Sequence, residues 1–275
     1  MIYNHINLNT ARNALRYIIR AFNITELYLP YYICPALRNA AYKENCKIVY
    51  YHIDTNFRIV DDLPLDAYIL YPDYFGICSH IVDEYSYKYK NLIVDNAHSF
   101  FAIPKGIATF YSLRKFFPTL RDGSFLYTTK TIDKFIEKDN FEYKPVLLDT
   151  CEFIKNEKRL DNQEICTISD STFNGYSKIN LEQEKQRRIS LFNKINSFLK
   201  SDIILQDNQV PYAFPYFEKD LSKAEKIVKE LSENNIDVYR FWNNLPISFP
   251  ERELYTNLLV ISLNVDESLL FKSCE

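Results

Sequence analysis

The chain has 275 residues, 47% of them hydrophobic and 25% charged, which is the composition of a folded protein with one large domain or a large domain plus a small one. Lys and Arg (33) are outnumbered by Asp and Glu (36) and spread evenly, for a net charge of -3, so no basic face is expected and nucleic acid is excluded as a partner. No apolar run approaches the roughly 18 residues of a membrane span, and the first residues lack the order of a signal peptide, so the expected location is the cytoplasm.

Tyr (22) and Phe (20) are unusually many and are expected in cores and subunit interfaces. Six cysteines, Cys34, Cys46, Cys78, Cys151, Cys166 and Cys274, show no paired spacing or nearby His pattern. They read as reduced core residues, with no metal site. Only four glycines are present, so a phosphate cannot be held by a glycine-rich loop and must be bound another way.

In chain order, Thr10 is a capping residue before the apolar-periodic Ala11 to Leu15, a helix start whose amides and dipole make an anion site. Runs at Leu27 to Pro30, Lys47 to Asp54, Ala67 to Tyr74 and Asn91 to His98 read as strands, with helices at Ile33 to Tyr42 and Asp83 to Tyr89 between them. That βαβ rhythm predicts a mainly parallel sheet with helices on both faces, an α/β domain. Ala108 to Leu113 and Ser124 to Thr129 follow as a strand pair around the turn Thr119 to Gly123. Residues 131 to 170 are charged and weakly periodic, a peripheral excursion or linker. Asn180 to Lys200 is a long amphipathic helix. A strand at Pro211 to Phe217, a helix at Leu221 to Asn234 and a strand at Asn257 to Leu263 complete a small α+β domain. The boundary is placed near residue 180, giving domains 1–180 and 181–275.

Open parallel sheets bind ligands at the carboxyl ends of their strands. There Leu92-Ile93-Val94 runs into Asp95-Asn96-Ala97-His98, with Asp95 and Ala97 on one face. From this segment alone, Asp95 could equally cap a turn and His98 be a satisfied polar residue. Ser112-Leu113-Arg114-Lys115 closes the next strand, and its lysine has the setting of a Schiff-base lysine.

Taken in order, these segments resemble the DegT/DnrJ-type sugar aminotransferases, pyridoxal-phosphate enzymes of fold type I. The resemblance implies a three-layer, mainly parallel large domain with a small C-terminal α+β domain. It implies that amides of Ala11 and Arg12 hold the cofactor phosphate and that Tyr32, or failing it Tyr31, stacks on the ring. Tyr71-Pro72-Asp73-Tyr74-Phe75-Gly76 is similar to the family's strand ending in an aromatic residue and a glycine, with Tyr74 toward substrate. Val94 to His98 is similar to its Asp-x-Ala-Gln, so that Asp95 pairs with the pyridinium nitrogen and His98, in place of Gln, bonds the ring hydroxyl. Ser112 touches the phosphate and Lys115 binds the cofactor covalently. Gln183 to Leu199, Val210-Pro211, and Asn235 to Val238 before Trp242 and Pro246 resemble the small domain.

The chain is shorter than ordinary members, Ser112 and Lys115 lie closer together than in the main family, and Arg12 stands where small or hydroxyl residues are usual. The implied function is amino transfer to a keto sugar, nucleotide-linked, in surface polysaccharide synthesis. The implied partner is a second subunit in a homodimer, with Asn174-Gly175-Tyr176 reaching across the interface toward substrate. The alternatives are a protein of the same fold that binds cofactor or partner without catalysis, and a related sugar dehydratase.

Overall fold

The computed structural model describes residues 2–242 and 245–265. Seven strands form one sheet: β1 (Asn4–Leu8), β2 (Glu26–Pro30), β3 (Lys47–Tyr51), β4 (Tyr68–Pro72), β5 (Asn91–Asn96), β6 (Ala108–Tyr111) and β7 (Ser124–Thr128). Their order is β1-β7-β6-β5-β4-β2-β3, with β3, β2, β4, β5 and β6 mutually parallel, β7 antiparallel to β6, and the edge strand β1 antiparallel to β7 and so aligned with the other five. The expected α/β sheet and its closing strand pair are therefore present. The polar edge strand β1 was not expected, because Asn-His-Ile-Asn-Leu carries little strand signal of its own. Four expected strands end early, at Tyr51, Pro72, Asn96 and Tyr111, and after Pro72 the chain turns into a 3-10 stretch at Tyr74–Gly76.

Helices cover both faces, as a buried parallel sheet requires. In α1 (Ala11–Phe22) the Thr10 hydroxyl accepts the Asn13 N–H at 3.1 Å. Next come α2 (Pro35–Lys43), opened by proline, α3 (Ser79–Lys88) and the single turn α4 (Leu113–Phe116). The charged stretch after β7 contains α5 (Thr150–Asp161) and α6 (Asp170–Tyr176). The helix α7 (Leu181–Leu199) is capped by Asn180. After it, β8 (Ala213–Phe217), α8 (Leu221–Glu233), β9 (Val238–Tyr239), α9 (Glu251–Asn257) and β10 (Leu258–Ser262) form the small α+β unit, with a three-stranded antiparallel sheet β8-β10-β9.

Side chains alternate along β5. Ile93 packs under α1 with Leu15, Ile18 and Leu27, while Leu92 and Val94 face the opposite core with Tyr71, Tyr74 and Val260. Asp95 thus leaves the sheet on the α1 face. The aromatic excess fills the second core. Buried tyrosines there donate to backbone carbonyls, Tyr51 to Leu70 at 2.8 Å and Tyr71 to Phe57 at 2.7 Å. Of the five described cysteines only Cys46 and Cys78 are buried, Cys34 and Cys166 are half-buried and Cys151 is exposed, so the expectation of core residues holds for two. Cys274 lies outside the described residues. Among the described residues no helix is long and apolar enough to cross a membrane.

One buried charge ties the two sheets together. Arg188 of α7 is fully buried and donates to Glu184 Oε1 (2.6 Å), the Tyr212 carbonyl (3.0 Å), the Phe116 carbonyl (2.9 Å) and Asn264 Oδ1. Burial is the largest influence on it and brings its pKa down to about 10, against the opposing pull of Glu184. Removing it strands these acceptors without donors. We expect Arg188→Met to lower unfolding stability by about 3–5 kcal/mol; a urea midpoint equal to that of the wild type would refute this role.

Candidate active site

A narrow cavity opens where β4 and β5 end, against the N-termini of α1 and α4. Thr10, Ala11, Arg12, Asp73, Asp95, Ala97, His98, Ser112, Arg114 and Lys115 line it, closed by Cys34, Leu160 and Trp242. About 70 Å³ is open to the centre of a water molecule, several times the ~10–15 Å³ that one water needs by that measure.

Asp95 is 8% exposed, and its Oδ1 accepts the Ala97 N–H at 2.9 Å. Burial pushes its pKa up to about 6, opposed by that N–H and by the Lys115 charge and reinforced by Asp73. Asp73 is likewise raised to about 6 by burial, although it accepts from the Cys78 N–H (2.9 Å) and the Ser79 hydroxyl (2.7 Å). His98 is held neutral, first by burial and then by Lys115. Its ring stacks on Tyr212 at 4.2 Å, with Phe75 (5.8 Å) and Trp242 (6.2 Å) also near-parallel to it. Phe75 and Trp242 both hold left-handed backbone, φ 56° and 52°, a costly geometry for aromatic residues that places their rings beside the imidazole.

The opposite end is cationic. The first turn of α1 provides no intrahelical acceptor for the N–H groups of Ala11 and Arg12, and Arg12 and Arg114 stand beside it. Ser112 caps α4 without spending its hydroxyl on the helix. Gly123 completes this wall at φ +97°, where an added Cβ would lie 2.7 Å from Leu113 Cδ1. Lys115 lies between the two ends: its charge depresses both Asp95 and, across the cavity, Glu157 of α5. Its ammonium lies 5.8 Å from the Tyr212 ring centre. Lys115 and Arg114 also border a larger cleft, with about 620 Å³ of space by the same measure, walled by Phe153, Tyr239, Phe241 and Asp237. The cavity is therefore electrically divided, with carboxylates at one end, arginines and a helix N-terminus at the other, and a lysine between them. Such a site suits a flat molecule bearing an anionic group at one end and a protonatable nitrogen at the other.

No protein-family model matches the sequence, and no curated protein does. Solved structures do. An aminotransferase of the DegT DnrJ EryC1 StrS type from Brucella abortus superposes with a TM-score of 0.60 at 12% identity, over 97% of this chain and 83% of that one. A putative sugar aminotransferase from Streptococcus pneumoniae in its PLP form gives 0.62 at 14% identity, over 96% and 84%. A Helicobacter pylori aminotransferase of pseudoaminic acid biosynthesis gives 0.60 at 14%, over 98% and 84%. The chain has the fold of the sugar aminotransferases, pyridoxal-phosphate fold type I.

Within that fold the cavity gathers Ala11, Arg12, Asp95, His98, Ser112 and Lys115. It does not gather Tyr32, Tyr74 or Asn174. Tyr32 is fully buried against Trp242 (4.6 Å), and Tyr74 spends its hydroxyl on the Tyr32 carbonyl at 2.9 Å. The chain turns after β2, which sends Tyr32 into the second core, and Tyr31 stacks on Tyr50 and His52 instead. Trp242, the chain's single tryptophan, lines the cavity where Tyr32 was expected to. Asn174 is exposed on α6. Asp73, Arg114 and Leu160 are lining residues that the sequence did not mark; a lining role for Arg114 could have been suspected from its place beside Lys115.

The raised Asp95 pKa has a definite sign. A carboxyl with a folded value near 6 and an unfolded value near 4 favours folding fully below about pH 4, and that contribution is lost as pH rises through 6. We expect Asp95→Asn to flatten the decline in stability between pH 4 and 7.5 by on the order of 2 kcal/mol. Parallel urea curves for the two proteins across that range would show that Asp95 is not raised.

Proposed function

We propose that this chain is a pyridoxal-phosphate-dependent aminotransferase of a keto sugar, with Lys115 as the lysine that carries the cofactor. The observation that carries this reading is the position of Lys115 between the carboxylate end and the arginine end of one cavity, in the fold of enzymes of that class. The residues present fit the cofactor's two charged ends, a phosphate and a ring nitrogen.

Bound here, pyridoxal phosphate would supply an electron sink that lets the C–H bond beside the donor nitrogen ionise. Ala11 and Arg12 amides, with the Ser112 hydroxyl, would hold the phosphate at the positive end of α1. Asp95 would pair with the ring nitrogen, whose positive charge would favour the ionised carboxyl. His98, neutral and fixed by its stack on Tyr212, would offer a ring nitrogen to the ring hydroxyl. Lys115 would hold the cofactor covalently and, once an amino donor such as glutamate has taken its place, its free amine would be the group that takes and returns the proton at the donor carbon. Trp242 and Leu160 keep water from this exchange.

The sugar enters from the larger cleft, where Tyr239 and Phe241 give a ring an apolar face and Asp237 an acceptor for hydroxyls. We further propose that the sugar is nucleotide-linked and destined for surface polysaccharide, and that the enzyme works in the cytoplasm as a homodimer. The exposed Phe173 and Asn174 on α6 are consistent with a subunit face there.

Incubation with pyridoxal phosphate, borohydride reduction and peptide mapping tests the assignment. We expect the label on Lys115 and its loss in Lys115→Ala, with glutamate turnover falling by about 10²-fold or more. A label on another lysine would refute the residue. No label at all would favour the non-catalytic reading.

A further inference from the structure

Arg12 and Arg114 come from different elements, α1 and α4, yet both line the cavity, with side chains only 10% and 16% exposed. The structure joins them through one carboxylate of α5. Glu157 Oε2 accepts from Arg12 Nη2 at 2.9 Å, and Oε1 lies 2.9 Å from Arg114 Nη2. The second contact has ion-pair distance without hydrogen-bond alignment, so Oε1 is a buried acceptor with no hydrogen bond. The other terminal nitrogen of Arg12 pairs with Asp161. Burial pushes the Glu157 carboxyl up, but Arg114, Arg12 and Lys115 together outweigh this and hold it below the usual range, so it is ionised.

A carboxylate bridging two guanidiniums at the N-terminus of α1 is doing what a phosphate dianion does best. Both anions cannot share the two arginines, because Glu157 and a dianion would repel across a site sheltered from water. The rest of α5 has its own anchors: Asn156 donates to the Arg121 carbonyl at 2.8 Å and Arg159 pairs with Asp122 at 2.9 Å. These anchors keep α5 attached when the Glu157 side chain leaves the two arginines.

We propose that Arg12 and Arg114 form a seat for a phosphate monoester dianion, filled in this structure by the Glu157 carboxylate, so that a phosphorylated ligand displaces Glu157 and loosens α5. The identity of the phosphate bearer rests on the cofactor reading above; the seat does not.

Wild type, Glu157→Gln and Arg114→Met are titrated with pyridoxal phosphate and with pyridoxal, following the absorbance of the lysine-bound chromophore. Removing the internal competitor should tighten pyridoxal phosphate about tenfold and removing a seat arginine should weaken it about tenfold, the scale of one charge-assisted hydrogen bond. Pyridoxal, which lacks the phosphate, should be unaffected by either change. A Glu157→Gln variant that binds both ligands more weakly would make α5 a purely structural strap and overturn the proposal, as would an Arg114→Met variant with unchanged affinity. Inorganic phosphate alone should speed amide exchange across residues 150–161 of the wild type, and unchanged exchange would count equally against the seat. If neither pyridoxal compound attaches to the wild type while phosphate still loosens α5, the cofactor reading falls and the seat stands.

Discussion

A guanidinium with no access to water must find an acceptor for each of its donors, and Arg188 finds them on four separate pieces of chain. One acceptor is the Phe116 carbonyl, at the end of the short turn that carries Lys115. A second is the Tyr212 carbonyl, whose side chain stacks on His98. A third is Asn264, which also donates to the Lys115 carbonyl at 3.4 Å. The guanidinium further lies 4.4 Å from the Phe116 ring centre. A four-residue helix has little stability of its own. Its lysine is held in place because a distant helix and the small sheet have bonded to its backbone.

The carboxylate end is built on a different principle. Asp73 directly follows β4 and Asp95 lies near the end of the neighbouring β5, the Asp73 N–H donating to the Asp95 carbonyl at 3.0 Å, and both side chains are buried. Asp73 spends its oxygens on local donors, Cys78 and Ser79, and so serves the backbone. Asp95 receives one N–H and otherwise faces the cavity. The pair thus divides into a structural member and a member left for a ligand, and the aromatic stack around His98 shields both from water.

Asp95 and His98 were legible because a short, apolar, β-branched run delivers them to the edge of the sheet, where alternation fixes the face. Lys115 was legible by its place after the next strand. Tyr32, which the resemblance placed on the cofactor ring, packs into the second core because the chain turns after Pro30. Trp242 arrives from more than a hundred residues beyond every other lining aromatic, held by left-handed backbone that no local pattern announces. Arg188 and Glu157 are two among 69 charged residues. Their importance comes from partners about 70 and 145 residues away in sequence, Phe116 and Arg12, which only the folded chain brings near. The stretch 131–170 read as peripheral for the same reason: its helix is polar because it binds the core by charge, and amphipathic periodicity does not report that.

Lys115 borders both the narrow cavity and the wide cleft, and this sharing sets an order on the site. The narrow cavity is sealed on its far side by Leu160 and by the arginine and carboxylate contacts of α5, so a ligand bound there has Lys115 as its inner neighbour. The cleft is bounded by the small sheet through Tyr239, Val260 and Ser262, and by α5 through Phe153 and Asn156. The same helix therefore walls both spaces, and a change in its position is felt on both sides of the lysine. Arg188 bonds the end of α4 through the Phe116 carbonyl, while α5 touches α4 through the Glu157–Arg114 contact, so Lys115 stands between two elements that bond its own turn.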